Sequence, residues 1–260
     1  MRHTHVPPFE RARRPIVGFA CDYGSGTSSG FHSHARAQLL YAISGVMRVE
    51  TSDASFVIPP TTALFLPADA QHAVSMDGPV AMRELFLRED AAAKIGSEPK
   101  VIAVSALLRE VIVAACAEPY EWEPRGRGYH LAALALDEIA RSSALPLGLP
   151  LPRDQRLRKV VAALRERPDD NRTFEEWGEL ANASSRTLAR KFRSETGLSF
   201  RQWRQQARLT EALSALTTGA PPLKAASIAG FRSVAAFGAA FREFFGITPG
   251  QARQLGNGTR

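Results

Sequence analysis

Three histidines in the first half of the chain have the residue type and spacing of a ligand set. His32 and His34 are two residues apart, and His72 follows later. In a strand the side-chain period is two, so His32 and His34 would share a face, and a histidine from a neighbouring strand would complete a facial set. Imidazole nitrogens arranged in this way bind divalent transition metals. The same groups would also suit a pocket for an organic effector, and the residues leave both interpretations open.

A second stretch, residues 184–195, has the composition of a helix that faces a polyanion. Ser184 is a candidate N-cap and Gly197 a candidate C-cap. Leu188 and Phe192 are four residues apart and would face inward. Four basic residues would face outward: Arg186, Arg190, Lys191 and Arg193. Taken alone, this pattern also fits a solvated surface helix.

The net charge is divided unequally along the chain. Residues 1–152 carry 14 Lys or Arg and 16 Asp or Glu, a formal −2, whereas residues 153–260 carry 19 and 10, a formal +9. This asymmetry predicts a polyanionic partner for the second half alone. Only two cysteines are present, Cys21 and Cys116, which argues against a disulfide framework. No apolar run approaches the roughly 18–20 residues that span a bilayer, so we expect a cytoplasmic protein.

Short apolar runs between turn residues indicate a β-rich domain over residues 16–86. The clearest runs are residues 39–43, 46–49, 56–58 and 63–66. Strands this short at close spacing predict a small antiparallel barrel or sandwich. Residues 1–15, with three prolines and four arginines, are expected to form a flexible arm.

Residues 101–117 and 129–141 change to a helical period. Their apolar stripes are Leu107, Leu108, Val111, Ile112 and Ala115 in the first helix, and Leu131, Leu134, Leu136 and Ile139 in the second. Such stripes either pack on the outside of the sheet or form a subunit interface. We expect a homodimer through one or both helices.

The histidine stretch resembles the cupin barrel. In the first cupin motif Gly26, His32, His34 and Gly45 match, while Gln38 stands at the acidic position. The resemblance implies a metal or effector site formed by His32, His34, Gln38 and His72.

The second cupin motif matches in part. Pro67 and His72 are present, and Asp69 replaces the usual glycine. Gln38 lacks the carboxylate charge that would offset a divalent cation, so a metal-free pocket stays open beside a divalent transition metal.

Three prolines and a glycine within residues 145–152 predict a linker, because this composition cannot continue a helix. The sequence beyond it predicts a helix over 154–167 and a second helix from the capping-box pair Thr173 and Glu176 to about Ala181. A short turn then leads to the basic helix. Helix, tight turn and basic helix are typical of a helix-turn-helix unit.

A shift of 49 residues superposes this unit on a second copy. The caps, the apolar seam and the next capping pair all recur: Ser184 on Ser233, Leu188 on Phe237, Phe192 on Phe241, Gly197 on Gly246, Ser199 on Thr248 and Gln202 on Gln251. The predicted connecting helix of roughly 18 residues spans about 27 Å, close to one turn of B-DNA at about 34 Å. The two basic-tipped helices would therefore enter successive major-groove segments.

Residues 153–253 resemble the DNA-binding domain of the AraC family of bacterial transcription regulators. The resemblance is strongest at Gly230-Phe231-Arg232-Ser233, Phe237, Phe241-Arg242, Phe245-Gly246, Thr248-Pro249 and Arg253, and it includes residues 184–190, Phe192, Gly197, Arg208-Leu209 and Ala212. It implies an N-terminal cupin-like effector and dimerisation domain. The predicted fold class is α+β, with an arm (1–15), a cupin-like β-barrel with flanking helices (16–144), a linker (145–152) and an all-α double helix-turn-helix domain (153–260).

The resemblance also implies which residues contact DNA. In the first copy these are Ser184, Ser185, Arg186, Thr187, Ala189, Arg190 and Lys191, and in the second Arg232, Ser233, Val234, Ala235, Ala239 and Arg242. An arginine can bond guanine O6 and N7 together, so Arg186 is the first candidate base reader. The short side chains of the second copy cannot, so we predict that the first helix supplies most of the sequence specificity.

We predict a sequence-specific DNA-binding transcription regulator, controlled by a small molecule or metal in the barrel, and not an enzyme. One alternative is a cupin metal oxygenase with a helical appendage, against which Gln38 and the double helix-turn-helix argue. The other is an architectural DNA binder whose barrel is purely structural.

Overall fold

The computed structural model describes residues 8–145, 147–168 and 170–256, and these fall into two compact units. The first contains the described residues up to Val49 and from Ile58 to Leu145. The second contains Glu50–Val57 and the described residues from Leu147 onward. The sequence did not predict that the short segment Glu50–Val57 groups with the C-terminal helices.

The strands of the first unit are β1 (Ile16–Tyr23), β2 (Ala37–Ser44), β5 (Thr62–Leu66), β6 (His72–Met76), β7 (Val80–Leu87), β8 (Lys100–Ala103) and β9 (Ala144–Leu145), with β3 (Met47–Thr51) beginning here. Six of them form an antiparallel sheet in the order β1-β7-β2-β5-β8-β9. β3 and β6 are neighbours in a second sheet. The four apolar runs predicted as strands correspond to β2, β3, β5 and β4 (Ala54–Ile58).

Two helices, α3 (Ala106–Cys116) and α4 (Arg127–Arg141), complete the core of this unit. The predicted stripe of α3 is buried except for Leu107, which is 49% exposed. In α4 the prediction was wrong in part. Its buried positions are Gly128, Ala132, Ala135 and Ile139, while Leu134 is 37% exposed.

Small residues are required where these helices approach other backbone closely. A Cβ on Gly128 would lie 2.4 Å from the Trp122 ring, and one on Gly18 of β1 would lie 2.5 Å from the Cys116 backbone. Close approach explains why α4 buries glycine and alanine and leaves the larger leucine at the surface.

Two predicted elements of the first half are corrected. The helix predicted from residue 101 begins only at Ala106, because Lys100–Ala103 pairs with β5 as strand β8.

The predicted flexible arm does not extend over residues 8–15, and residues 1–7 lie outside the described residues. Pro8–Arg11 forms helix α1, and the Arg36 guanidinium donates to the carbonyl oxygens of Ala12 at 2.8 Å and Arg14 at 2.6 Å. A short helix α2 (Glu89–Ala92) follows β7.

The second unit is helical apart from β4, its antiparallel partner β10 (Gly148–Pro150) and the end of β3. Its helices are α5 (Gln155–Glu166), α6 (Phe174–Leu180), α7 (Ser185–Thr196), α8 (Phe200–Thr217), α9 (Pro222–Ile228), α10 (Val234–Phe245) and α11 (Pro249–Gly256). The predicted linker is not free of structure, since it contains β10 and buries Leu149 and Leu151 in the core of this unit. The α+β fold class is confirmed.

The local signals read from the sequence set the helix ends in this unit. Ser184 caps α7 and accepts from the Thr187 N–H, and Gly197 ends the helix in the left-handed region at φ 73°. Ser233 and Gly246 do the same for α10, with a φ of 72° at the glycine. The first residues of α7 and α10 are 49 apart, the period of the predicted repeat.

No helix in the described part of the chain is long and apolar enough to cross a lipid bilayer.

Candidate ligand cavity and nucleic-acid interface

The three predicted histidines lie together in the first unit. One ring nitrogen from each of His32, His34 and His72 lies within 4.8 Å of the others, and the ring centroids are between 4.4 and 5.6 Å apart. The expected strand carrying His32 and His34 is absent from the described secondary structure; both residues precede β2. Instead His32 faces His72 in an isolated antiparallel bridge with two backbone hydrogen bonds of 2.9 Å.

Each imidazole is anchored through its Nδ1 atom. The acceptors are the Gly30 carbonyl for His32 at 3.0 Å, the Glu10 carboxylate for His34 at 3.3 Å and the Ala70 carbonyl for His72 at 2.8 Å. Because these oxygens only accept, Nδ1 of each neutral ring carries the proton and Nε2 keeps its lone pair. Histidines that ligate metals are oriented in the same way.

Burial keeps two of these rings neutral. Burial lowers the pKa of His72 to about 4, against the opposing hydrogen bond to Ala70 and with a further lowering by the other two histidines. Burial and then His32 lower the pKa of His34, while the hydrogen bond to Glu10 raises it. The Nε2 atom of His72 is buried without a hydrogen-bond partner among the described residues. A metal or a donor group would satisfy this lone pair.

Gln38 is paired with a carboxylate that sequence reasoning missed. Its Nε2 donates to Oε2 of Glu84, and both side chains are buried. Leu40 of β2 lies opposite Glu84 of β7, so Gln38 and Glu84 share one face of the sheet. Burial raises the pKa of Glu84 to about 7, and the hydrogen bond from Gln38 lowers it in part. The carboxylate missing at position 38 is therefore present on the adjacent strand.

Four of these polar side chains, His32, His34, Gln38 and Glu84, line a cavity of about 270 Å³. His72 is not part of the lining, but its ring lies against His32 with centroids 4.4 Å apart. The remaining walls of the cavity are largely apolar: Phe9, Phe19, Leu40, Val74, Met76, Met82 and Phe86. Helix α1 supplies Phe9, whose ring stacks on Phe86 with centroids 3.8 Å apart, and it supplies Glu10 as the partner of His34. Sequence reasoning placed Phe9 and Glu10 in a flexible arm, since no local pattern indicates a contact across so many residues.

The predicted DNA-contact residues of the first copy are at the surface of α7. Arg186, Ala189 and Arg190 are exposed and lie three and four residues apart, on one side of the helix. Leu188 and Phe192 are fully buried on the other side. Ser184 and Thr187 are bonded to each other, because the Ser184 hydroxyl donates to Thr187 Oγ1 at 2.9 Å.

Lys191 is less available than the arginines around it. Its Nζ lies 3.0 Å from Glu195 and 3.7 Å from Asp154. A phosphate contact by Lys191 would have to compete with these two carboxylates. Ser185, also in the predicted set, is half-buried.

The second copy has the same scaffold and a different surface. Phe237 and Phe241 fill the buried seam of α10. The predicted contact positions are exposed, and most are small or apolar: Arg232, Ser233, Val234, Ala235, Ala239 and Arg242. Val234 is 41% exposed. This surface can contact thymine methyl groups, but between residues 234 and 239 it has no base-reading donor.

Comparison with known proteins matches both units. The family described as AraC-like ligand binding domain matches residues 17–171, and the family described as Helix-turn-helix domain matches residues 177–255. The HTH-type transcriptional regulator NimR of Escherichia coli strain K12 is 28% identical over 243 residues, 93% of this chain and 89% of NimR. The HTH-type transcriptional regulator RipA of Corynebacterium glutamicum is 36% identical over 100 residues, 38% of this chain and 30% of RipA.

Among solved structures, ToxT from Vibrio cholerae with bound unsaturated fatty acid covers 94% of this chain and 96% of its own. Its TM-score is 0.40 at 12% identity, so this likeness supports no inference about ligand or fold.

The two units therefore define a transcription regulator with a ligand-binding domain and a helix-turn-helix DNA-binding domain. The chain belongs to the AraC family, whose ligand-binding description alone matches more than half of it. The relatives are named as regulators, so the protein is a regulator and not an enzyme.

Proposed function

We propose that this regulator binds DNA sequence-specifically and that its binding is controlled by an effector in the cavity of the first unit. The observation that carries the proposal is the cluster of His32, His34 and His72, in which one ring nitrogen of each lies within 4.8 Å of the others and every Nδ1 is bonded to an oxygen atom. A cavity that binds no ligand does not require three clustered histidines whose rings are oriented by hydrogen bonds to oxygen atoms. The architectural alternative, a barrel without a ligand, accounts for the cluster less well.

The cluster supports a divalent transition metal as the effector or as part of its site. His32, His34 and His72 would hold the ion, and the chemistry it would supply is a positive charge and open coordination positions. The donor set fits, since three imidazoles whose Nδ1 atoms are bonded to oxygen atoms can offer nitrogen ligands to zinc, iron or copper. Glu84, which is hydrogen-bonded to Gln38, places near the site the carboxyl group that Gln38 itself lacks.

Metal content of the purified protein tests this proposal. After dialysis against Zn²⁺ and removal of free ion, the wild type should retain about one ion per chain. The double variant His32→Ala/His34→Ala should retain almost none, while His130→Ala, which removes an exposed histidine of α4, should match the wild type. Equal metal content in all three proteins would remove the site, provided circular dichroism shows that all are folded.

The apolar walls favour a small organic effector as the second candidate. Four aliphatic or thioether side chains and several aromatic rings surround the polar groups, an arrangement common to small-molecule sites. Native mass spectrometry of the purified protein would then detect a bound organic mass, and the histidine double variant would keep it.

We also propose that a second copy of this chain covers part of α3 and α4. The supporting observation is that three large apolar residues stay exposed there: Leu107, Tyr129 and Leu134. Sedimentation equilibrium should give a dimer for the wild type and a monomer for Leu134→Glu. A wild-type monomer would contradict the proposal.

A further inference from the structure

A second cavity, of about 320 Å³, lies in the DNA-binding unit beside α8. Its lining is basic and aromatic: Phe174, Phe200, Arg201, Arg204, Gln205 and Arg208. The rings of Phe174 and Phe200 stack with centroids 4.3 Å apart. The lining has three guanidinium groups and no carboxylate.

Two of these guanidinium groups keep most of their donors and their full charge. Arg204 uses one N–H, which donates to the Arg172 carbonyl oxygen at 3.0 Å. Within the part of the chain that the structure describes, the exposed Arg201 side chain makes no hydrogen bond or ion pair. A carbonyl oxygen carries no net charge, so neither arginine is neutralised. Four donors remain on Arg204 and five on Arg201.

Arg208 has a different role, because it holds surrounding backbone. Its Nε donates to the Pro168 carbonyl at 2.7 Å and its second terminal nitrogen to Asn171 Oδ1 at 2.9 Å. A Cβ on Gly230 would lie 2.8 Å from Arg208. Arg208 therefore has a structural role at this cavity, because its guanidinium donates to neighbouring segments of the chain.

The cavity is lined by the start of α6 in the first copy and by the first half of α8, the helix that joins the two copies. Phe174 is the first residue of α6 in the first copy. On the other side Gln205 Nε2 lies 3.5 Å from the carbonyl of Ala229, which precedes the turn into α10. When two recognition helices enter successive major-groove segments, the sugar-phosphate backbone that separates those segments lies between the two helices. Arg201 and Arg204 are on the helix that joins the two copies.

We infer that Arg201 and Arg204 bind a backbone phosphate of the DNA between the two major-groove segments. The ligand class is a phosphodiester, which accepts the parallel N–H groups of a guanidinium and needs the positive charge. The aromatic wall holds the site open and limits water around the ion pair. This contact positions the duplex and carries no base information. The inference rests on the DNA binding proposed above.

The salt dependence of DNA affinity tests the inference with the full chain. Affinities are measured between about 50 and 200 mM salt for a random-sequence duplex of about 30 base pairs. Replacing Arg201 by Gln should reduce the slope of log K against log salt by about 1, and Arg201→Gln/Arg204→Gln by about 2. Lys159→Gln removes an exposed charge of α5 away from the cavity and should leave the slope unchanged.

Two results would overturn the inference. One is a salt-dependence slope that does not separate Arg201→Gln from its control. Either Arg201→Gln has the slope of the wild type, or Lys159→Gln reduces the slope as much as Arg201→Gln does. The other is an altered ranking of sequences in a selected library, because a phosphate contact must weaken all sequences uniformly. Arg201→Gln alone suffices if the double variant melts early. Failure of the proposed function would look different: the wild type would show no sequence preference, although its slope on random DNA could still be measured.

Discussion

The two helix-turn-helix copies of the second unit share a scaffold and differ in what they present. In both, a serine caps the recognition helix, a glycine at φ near 70° ends it, and two apolar side chains four residues apart are fully buried. Outside, α7 exposes Arg186 and Arg190, whereas α10 exposes valine and alanines. The two copies therefore share the residue types that build the fold and differ at the positions predicted to face DNA.

The first helices of the two copies differ as well. α6 begins with the capping box of Thr173 and Glu176, whereas α9 begins at Pro222 without a side-chain cap. In the core, α6 contributes Trp177, and α9 contributes only Ala225 and Ala226. Different local solutions thus support the same arrangement of helix, turn and helix.

The largest expected effect tests whether the scaffolds are equivalent. Phe192→Ala and Phe241→Ala each remove a fully buried ring, and each should lower the free energy of unfolding by about 3–5 kcal/mol. Urea denaturation followed by far-ultraviolet circular dichroism measures both. If the free energy of unfolding of one variant falls by less than about 1 kcal/mol, the two copies are not packed in the same way.

A smaller effect tests whether the surfaces differ in function. Arg186→Ala should lose about 1–3 kcal/mol of discrimination at one base pair, because it removes a bidentate donor that residues 234–239 of α10 lack. Ala235→Lys should strengthen binding to all duplexes without a comparable gain in preference. Competition binding against a library of duplex variants reports both.

The hypothesis of unequal readout has a clear contrary result. If Arg186→Ala keeps its base preference while base identity opposite α10 dominates binding, then the second helix is the principal reader and the comparison is reversed.

The smallest expected effect concerns the helix ends. Gly197→Ala and Gly246→Ala place a side chain on left-handed backbone at φ 73° and 72°, and each should cost about 1 kcal/mol. A Cβ at either position meets no atom within 4 Å, so the cost is conformational alone. The two losses should agree within error in thermal denaturation; unequal losses would indicate that one helix end makes contacts the other does not.

Local signals explain why the second unit was predicted well from its sequence. Caps and capping boxes act within three or four residues, so Ser184, Ser199 and the 49-residue repeat indicated most helix boundaries directly. The strand at Lys100–Ala103 was predicted as helix, because a short apolar run fits both periods and only pairing with β5 decides between them.

The cavity was predictable only in part. His32, His34 and His72 were found because their spacing resembles a known motif. Glu84 was not, since its role follows from the register of β7 against β2, which no local pattern reveals. Phe9 and Glu10 were missed for the same reason.

The continuity of α8 restricts how this chain can change in length. Near its start, α8 contributes Trp203 to the core of the first copy. Toward its end, Leu213 and Leu216 of α8 are buried as well. Each residue inserted between these positions would rotate the second copy by about 100° around the helix axis and move it by about 1.5 Å. A single insertion or deletion in α8 would therefore change the direction in which α10 presents its exposed face relative to α7.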